Sequence, residues 1–82
     1  MSDAIGILSM NDLRRWEIVQ GACPELSSGS RVLIEVDAVL RLTRIEYAHD
    51  AGGQYYSVDN YQLAGGLRAA PPGDAEDGQK LA

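Results

Sequence analysis

Three tyrosines and two arginines between residues 41 and 61 are the residues best suited to binding another molecule. They are Tyr47, Tyr55, Tyr61, Arg41 and Arg44. Tyrosine and arginine are enriched at protein interfaces because they bury a large area and also form hydrogen bonds. If these side chains gather on one surface, they form an exposed aromatic patch. Such a patch would bind a partner protein or stack unpaired nucleotide bases.

The same tyrosines also have a purely structural interpretation. Tyr55 and Tyr56 are adjacent, so on a strand their side chains point to opposite faces and at most one of them belongs to the core. In this interpretation Tyr56 packs inside with its hydroxyl at the rim, on the face that it shares with Val58. Tyr55 then covers the neighbouring loop. The sequence leaves both interpretations open.

Acidic side chains offer a second kind of binding surface. The candidates are Glu35, Asp37, Asp50 and Asp59. On a small acidic protein they would occupy the basic nucleic-acid channel of a host defence complex of the CRISPR type, where they mimic phosphates. The run Arg44-Ile45-Glu46 is interpreted as a solvated face with a cross-strand ion pair, worth less than about 1 kcal/mol.

The chain lacks the residues that most enzymes need. Its single histidine, His49, lies beside Asp50 and is interpreted as an exposed loop residue. Its single cysteine, Cys23, has no basic neighbour in the sequence to activate the thiol, which favours a buried apolar role. One histidine and one cysteine do not supply the common zinc spacings, and no phosphate-binding or nucleophile motif occurs. We therefore predict a non-enzymatic protein without metal or cofactor.

The charge distribution argues against a nucleic-acid binder. The net charge is −5, and the segment after residue 70 carries three acids against one lysine. Residues 31–70 are nearly balanced, with five acids against four arginines. A duplex binder needs a basic surface to neutralise phosphates. We predict no duplex nucleic-acid partner, and single-strand binding is the least favoured function.

Length and composition set the broad class. The chain of 82 residues is enough for one small domain. A lone cysteine indicates a reducing cytoplasm, because secreted domains of this size usually contain several. No apolar run is long enough to cross a membrane, and Asp3 stands where an export signal would have a basic residue. The modest stability of so small a domain is compatible with a homo-oligomer.

Alternating apolar residues bounded by turn residues predict a chain made mostly of β-strands. Five short strands are expected, in the segments RRWEIVQG, RVLIEVD, LRLTRIEYAH, QYYSV and LRAA. Residues 1–12 form an N-terminal extension for which a strand, a helical turn and an upstream segment are all open. Residues 71–82 contain Pro-Pro-Gly and charged residues but no apolar period, which predicts a disordered tail.

A change in the apolar pattern indicates where the sheet bends. Leu40 and Leu42 share one face of their strand, whereas Ile45 and Tyr47 occupy the opposite face. A regular strand cannot bury both pairs against one core. An extra residue near residues 43–44, a β-bulge, would restore the register and bend the strand. With short strands and glycine turns, the pattern predicts a single small five-stranded SH3-like barrel.

The pattern WEIVQG…ELSSG…VLIEV…LTRIEY…GGQYYSV…LAGGLRA resembles a family of small uncharacterised bacterial domains. These look like single SH3-like barrels, common among accessory genes of plasmids, phages and other mobile elements. The resemblance covers residues 13–70 and implies a fold and a genomic setting, but no catalytic residue. Where that family would have an aromatic residue after the first hairpin, this chain has Leu40.

The leading functional hypothesis is a protein-binding accessory module of a mobile element. The first alternative is an acidic inhibitor of a host defence complex, and the second is a protein that binds single-stranded nucleic acid.

Overall fold

The computed structural model describes residues 5–19, 25–49, 52–73 and 75–81, and it contains no α-helix within these ranges. Its strands are β1 (Gly6–Met10), β2 (Trp16–Val19), β3 (Arg31–Val36), β4 (Val39–Ala48), β5 (Gln54–Ser57) and β6 (Arg68–Ala70). They form one antiparallel sheet in the order β2-β1-β6-β3-β4-β5. The mostly-β prediction is confirmed, but the sheet has six strands where five were expected.

The additional strand comes from the N-terminal segment, for which the sequence left three structures open. Ile7 of β1 pairs with Val19 of β2 on one side and with Arg68 of β6 on the other. Leu8 is fully buried in the core. Residues 6–10 are therefore an interior strand of the sheet and not an extension of it.

The sheet curls into a half-barrel around a single main core. The buried members of this core are Leu8, Ile18, Leu26, Val32, Ile34, Ile45 and Ala69. Ile18 belongs to β2, at one edge of the sheet, and Tyr55 packs against the same cluster from β5, at the other edge. A flat sheet would hold these two strands far apart, so the shared core requires the curl.

The β3–β4 hairpin turns through two residues. Asp37 and Ala38 both have positive φ, 53° and 64°, which is the conformation that a two-residue hairpin turn requires. The turn places Val36 directly opposite Val39, and pairing continues without interruption to Arg31 opposite Arg44.

Strand β4 is 10 residues long and changes its pairing along its length. Its first part, up to Arg44, pairs with β3, and its second part, from Ile45 opposite Ser57, pairs with β5. Since β3 and β5 lie on opposite edges of β4, the strand passes from one half of the sheet to the other at this point.

A bulge lies beside this exchange of partners, although not in the predicted strand. The ladder of β4 with β3 contains no extra residue at positions 43–44. Instead, the N–H of Gly29 donates to the carbonyl of Ile45 at 2.7 Å, and the N–H of Ile45 donates to the carbonyl of Ser30 at 2.8 Å. Two residues thus face one, with Gly29 at a φ of 91°, which is a glycine bulge. Gly29 and Ser30 are the last two residues of a turn in which Ser30 N–H donates to Ser27 C=O.

The apolar side chains of β4 change from one face to the other along the strand because the β3–β4 hairpin is buried on both of its faces. Val32 and Ile34 face the main core, so Leu33 between them points to the opposite face, where it is 2% exposed. Leu40 is opposite Glu35 and therefore shares the face of Leu33, and it is also fully buried. Leu40 and Ile45 were expected to share one core, and this expectation is wrong because they occupy different faces.

The C-terminal segment is ordered along the free edge of β4. Lys80 forms a β-bridge with Val39, and the N–H of Leu81 donates to the carbonyl of Ala38 at 2.9 Å. The disorder predicted for residues 71–82 is therefore wrong for residues 75–81. The composition of the tail gives it little order of its own, but the unpaired edge of β4 provides backbone partners.

Three polar side chains fix the end of β5 on β4. Thr43 Oγ1 donates to Asp59 Oδ2 at 2.8 Å and lies 2.6 Å from Ser57 Oγ. Because the single hydroxyl proton of Thr43 points to Asp59, Ser57 must donate to Thr43. The N–H of Asp59 donates back to Ser57 Oγ at 3.2 Å, which closes a ring of three hydrogen bonds. Thr43 and Ser57 are both buried, so the ring satisfies two hydroxyls that have little access to water.

Replacing Thr43 tests this ring. Thr43→Val keeps the shape but leaves Ser57 without an acceptor and Asp59 without a donor, so we expect a loss of about 1–3 kcal/mol in the free energy of unfolding. Thr43→Ser, which keeps the hydroxyl, should lose less. Urea denaturation measures both, and equal losses in the two variants would contradict the role of the hydroxyl.

Candidate functional site

A concavity lies between the β1–β2 turn and the β4–β5 hairpin, and we call it the aromatic groove. It consists of two adjoining depressions of about 490 Å³ and 450 Å³ that share four lining residues. The lining residues are Met10, Leu13, Arg14, Arg15, Trp16, Tyr47, Gly52, Gly53, Gln54, Tyr55 and Leu63.

The β1–β2 turn forms one wall and is held by Asn11. The side-chain oxygen of Asn11 accepts from the N–H groups of Leu13 and Arg15, at 2.9 and 3.1 Å. Its amide nitrogen donates to Glu25 at 2.8 Å, and Arg15 pairs with the same carboxylate at 3.1 Å. These contacts fix the turn and leave Leu13 at its tip, 71% exposed.

The β4–β5 hairpin forms the other wall. Tyr47 and Tyr55 are directly opposite on the two strands, with ring centroids 4.8 Å apart and planes at 63°. The ring of His49 also contacts the ring of Tyr47, with centroids 4.7 Å apart. Gly53, at a φ of 78°, lies under the Tyr47 hydroxyl, so close that a Cβ there would collide with it. The glycine therefore allows the tyrosine ring to lie across the turn.

The tyrosines do not follow either sequence interpretation. Tyr55 packs against the main core, whereas Tyr56 is on the outer face and 45% exposed, so the prediction that Tyr56 lies inside is wrong. Val58, on the same outer face, is also exposed. Tyr61 is half-buried against the core, in the connection that follows β5. Of the three candidate tyrosines, the structure brings Tyr47 and Tyr55 into ring contact.

The two candidate arginines lie elsewhere. Arg41 and Arg44, both within the described part of the chain, do not line the aromatic groove. Arg44 pairs with Glu46 at 2.8 Å, two residues further along the same strand, so the expected cross-strand ion pair is an intrastrand one. Glu46 also accepts from Ser28 Oγ. The Nη1 of Arg41 lies 3.9 Å from the position that a Cβ on Gly78 would occupy.

The cations of the groove are Arg14 and Arg15, which are not among the residues predicted from the sequence. Their signal was the segment NDLRRW, in which a turn-forming Asn is followed by two arginines and a tryptophan. Arg14 is exposed at a φ of 60° and forms no ion pair with any other residue that the structure describes. Arg15 is paired with Glu25.

The acidic candidates do not form one surface. Glu35 and exposed Asp37 line a depression of about 390 Å³ with Gln62, Ala64 and Leu67. Asp59 lies at the far end of the β3–β4 hairpin, bonded to Thr43. Asp50 lies outside the described residues, as does Cys23, while His49 is exposed as predicted.

Glu35 is bound to Arg68 by two hydrogen bonds. Its carboxylate accepts from the backbone N–H of Arg68 at 3.1 Å and from the guanidinium at 3.0 Å. These two bonds hold the pKa of Glu35 below its usual value, the bond from the guanidinium having the larger effect, although partial desolvation acts in the opposite direction. The pair joins the edge of β3 to β6, whose neighbouring residues Ile34 and Ala69 are in register.

Comparison with family models, with curated proteins and with solved structures gave no match for this chain. Across the ranges that the structure describes, no helix is long and apolar enough to cross a bilayer. In the same ranges, no three His, Cys, Asp or Glu side chains converge where a metal ion would bind.

The steric collision expected for a side chain at position 53 can be tested by comparing alanine substitutions at Gly52 and Gly53. In Gly52→Ala the new Cβ meets no other atom, but alanine must adopt a φ of 82°. This strain should lower the free energy of unfolding by about 1–2 kcal/mol. Gly53→Ala adds the displacement of Tyr47, so its loss of unfolding free energy should be larger by about 1 kcal/mol or more.

The control for this comparison is Tyr47→Phe, which removes the hydroxyl. In that background, the difference between the two alanine variants in urea denaturation should become smaller. A difference that is unchanged by Tyr47→Phe would show that the hydroxyl does not lie over Gly53.

The Glu35–Arg68 pair predicts a pH dependence of stability. Because the folded pKa of Glu35 is lowered, its contribution is present above the unfolded value near 4.5 and is lost as the pH falls through the lower folded value. The pair is partly exposed, so the contribution should be about 1 kcal/mol or less. In Glu35→Gln, the free energy of unfolding should fall less steeply below pH 4.5. An identical slope in both proteins would contradict the assignment.

Proposed function

We propose that this protein is a non-enzymatic protein-binding module whose contact surface is the aromatic groove. The observation that carries the proposal is the exposure of Leu13 and Met10, 71% and 46%, at the rim of a groove walled by Tyr47 and Tyr55. Large apolar side chains beside an aromatic concavity are typical of an interaction site.

The shape of the groove supports a short segment of a partner as the ligand. Its two depressions adjoin along the β4–β5 hairpin, so an extended chain could place successive side chains in them. Trp16, partly buried against the core, supplies a firm wall that loses little entropy on binding.

The charge at the groove supports an acidic residue in that segment. Arg14 is exposed and has no ion-pair partner in the described part of the chain, whereas the charge of Arg15 is balanced by Glu25. A carboxylate next to an apolar anchor would pair with Arg14 while the anchor contacts Leu13 and Tyr55.

The wider assignment is a small SH3-like barrel acting as an accessory module of a mobile element in the bacterial cytoplasm. The half-barrel, the short strands and the resemblance over residues 13–70 support this part of the proposal. We favour protein binding over phosphate mimicry because Glu35 and Asp59 are both bonded within the chain.

A selection of random peptides displayed on phage, made against the full chain, tests the proposal. We expect enriched peptides to combine an apolar residue with a nearby acid. Their affinity should fall at least about tenfold, or about 1.4 kcal/mol, for Arg14→Glu and for Leu13→Ser. Both substitutions are at exposed residues of the turn, so the fold should be kept.

The matched control is Tyr56→Ser, which removes an exposed aromatic residue from the outer face of β5. It should leave the affinity of the selected peptides unchanged. Peptides that bind all variants equally, or a selection without enrichment, would contradict the groove as the contact surface.

A further inference from the structure

The free edge of β4 is divided between two occupants. Toward its end, β5 pairs with residues from Ile45 onward, and the N–H of Val58 donates to the carbonyl of Arg44. Toward its beginning, the C-terminal tail takes the same edge. Leu40 N–H donates to Gln79 C=O at 2.8 Å, and Gly78 N–H donates to Leu40 C=O at 2.6 Å.

The tail binds β4 through a local structure that the chain uses twice, which we call the glycine turn. In residues 27–30, Ser30 N–H donates to Ser27 C=O, and Ser30 Oγ accepts from Ser27 N–H. In residues 76–79, Gln79 N–H donates to Glu76 C=O, and Gln79 Oε1 accepts from Glu76 N–H. The third residue of each is a glycine, with φ of 91° and 86°.

Both glycine turns hold β4 in the same way. The glycine N–H donates to one β4 carbonyl, and the following residue's carbonyl accepts from the N–H of the same β4 residue. The first turn does this at Ile45 and the second at Leu40. Two unrelated stretches, SSGS and EDGQ, thus make one bulge geometry on one strand. The contact of the tail is therefore a specific docking geometry.

Charged side chains also contribute to the contact between the tail and this edge of β4. The carboxylate of Asp77 accepts from the N–H of Leu42 at 2.9 Å, a charge-assisted bond. The guanidinium of Arg41 lies beside Gly78. The tail carries three acids against Lys80, so an acidic segment is complementary to this position.

We propose that the edge of β4 at residues 38–42 is a docking site for an extended acidic segment of another protein. The chain's own tail occupies the site in the unbound state. The partner segment would add a strand to the sheet, with an acid directly before a glycine that forms the same turn. This surface is separate from the aromatic groove, so a result that contradicts one of the two proposals leaves the other unaffected.

The tail is suited to be displaced. It follows Pro71-Pro72-Gly73, has mostly exposed residues and contributes none of the buried residues of the main core. A strand edge left open by its departure would expose Leu40 and Leu42 amides, which a competing strand can satisfy. The tail therefore covers an edge that would otherwise pair indiscriminately with other chains.

Binding of a labelled peptide of residues 71–82 to the full chain tests the docking site. In Gly78→Pro, the tail loses the donor to Leu40 and cannot adopt its φ, so the edge becomes free. We expect this variant to bind the peptide at least about tenfold more tightly than the wild-type chain, whose own tail competes at an effective concentration on the order of millimolar. Fluorescence anisotropy measures both affinities.

Two matched controls define the geometry of binding. Lys80→Ala in the chain should leave the tail docked and the peptide excluded, because Lys80 is exposed and its N–H points away from β4. In the peptide, N-methylation at Leu81 removes the donor to Ala38 and should weaken binding, whereas N-methylation at Lys80 should not. An Asp77→Asn peptide should also bind more weakly.

Two results of these binding experiments would contradict the docking site. Equal peptide affinity in the wild-type chain and Gly78→Pro would overturn the proposal. It would also be overturned if the peptide failed to bind Gly78→Pro while the wild-type chain formed a dimer by exchange of tails in sedimentation, since the occupant would then be a second copy.

Hydrogen exchange of the wild-type chain supplies a measurement that does not depend on the folding of the variant. The amides of Gly78, Leu81 and Leu40 should exchange together and faster than that of Ile34 in the main core, because the tail opens while the barrel stays folded. Exchange of Leu40 only at the rate of global unfolding would show that the tail cannot be displaced and would overturn the proposal.

Discussion

The structure depends on the hydrogen-bond partners that the backbone groups of β4 find along its two edges. A strand of 10 residues in so small a domain presents two long edges, and unpaired N–H and C=O groups inside a protein are costly. One edge is satisfied by β3. The 27–30 turn continues that edge as far as Ile45, and β5 and the C-terminal tail each take a part of the other edge. The change of partner from β3 to β5 at Ile45 carries the strand from one half of the curled sheet to the other.

The bend of β4 also positions the aromatic groove. Beyond Ile45 the strand runs with β5 as a separate hairpin, which carries Tyr47 and Tyr55 toward the β1–β2 turn. The ring of Thr43, Ser57 and Asp59 fixes where this hairpin leaves the rest of the sheet. The groove is thus formed by the two ends of the curled sheet.

The local pattern of alternating apolar residues and turn glycines was sufficient to predict much of the sheet. The alternation of Val32 and Ile34 and the glycines at 52 and 53 predicted β3 and the β4–β5 hairpin, and all of these are found. The alternation also placed Tyr55 and Tyr56 on opposite faces. It could not show which face is inside, because that depends on where the opposite end of the sheet, with Ile18, closes over β5.

The features that the sequence did not predict depend on distant partners. The segment GILSM is a strand because β6 lies beside it, although the two are far apart in the chain. The tail is ordered because Leu40 offers it an N–H and a carbonyl, although its own composition is that of a disordered segment. Arg14 and Arg15 belong to the candidate site because Asn11 folds the turn toward a hairpin much later in the sequence.

The central claim is that two glycine turns of the same geometry hold β4, one on each edge, at Leu40 and at Ile45. Scalar couplings across hydrogen bonds, measured by NMR on the isotopically labelled full chain, test it directly. The account predicts a coupling between Leu40 N and the carbonyl carbon of Gln79, and another between Ile45 N and that of Ser30. A spectrum that shows the coupling at Ile45 but connects Leu40 N to no residue of the tail would contradict it.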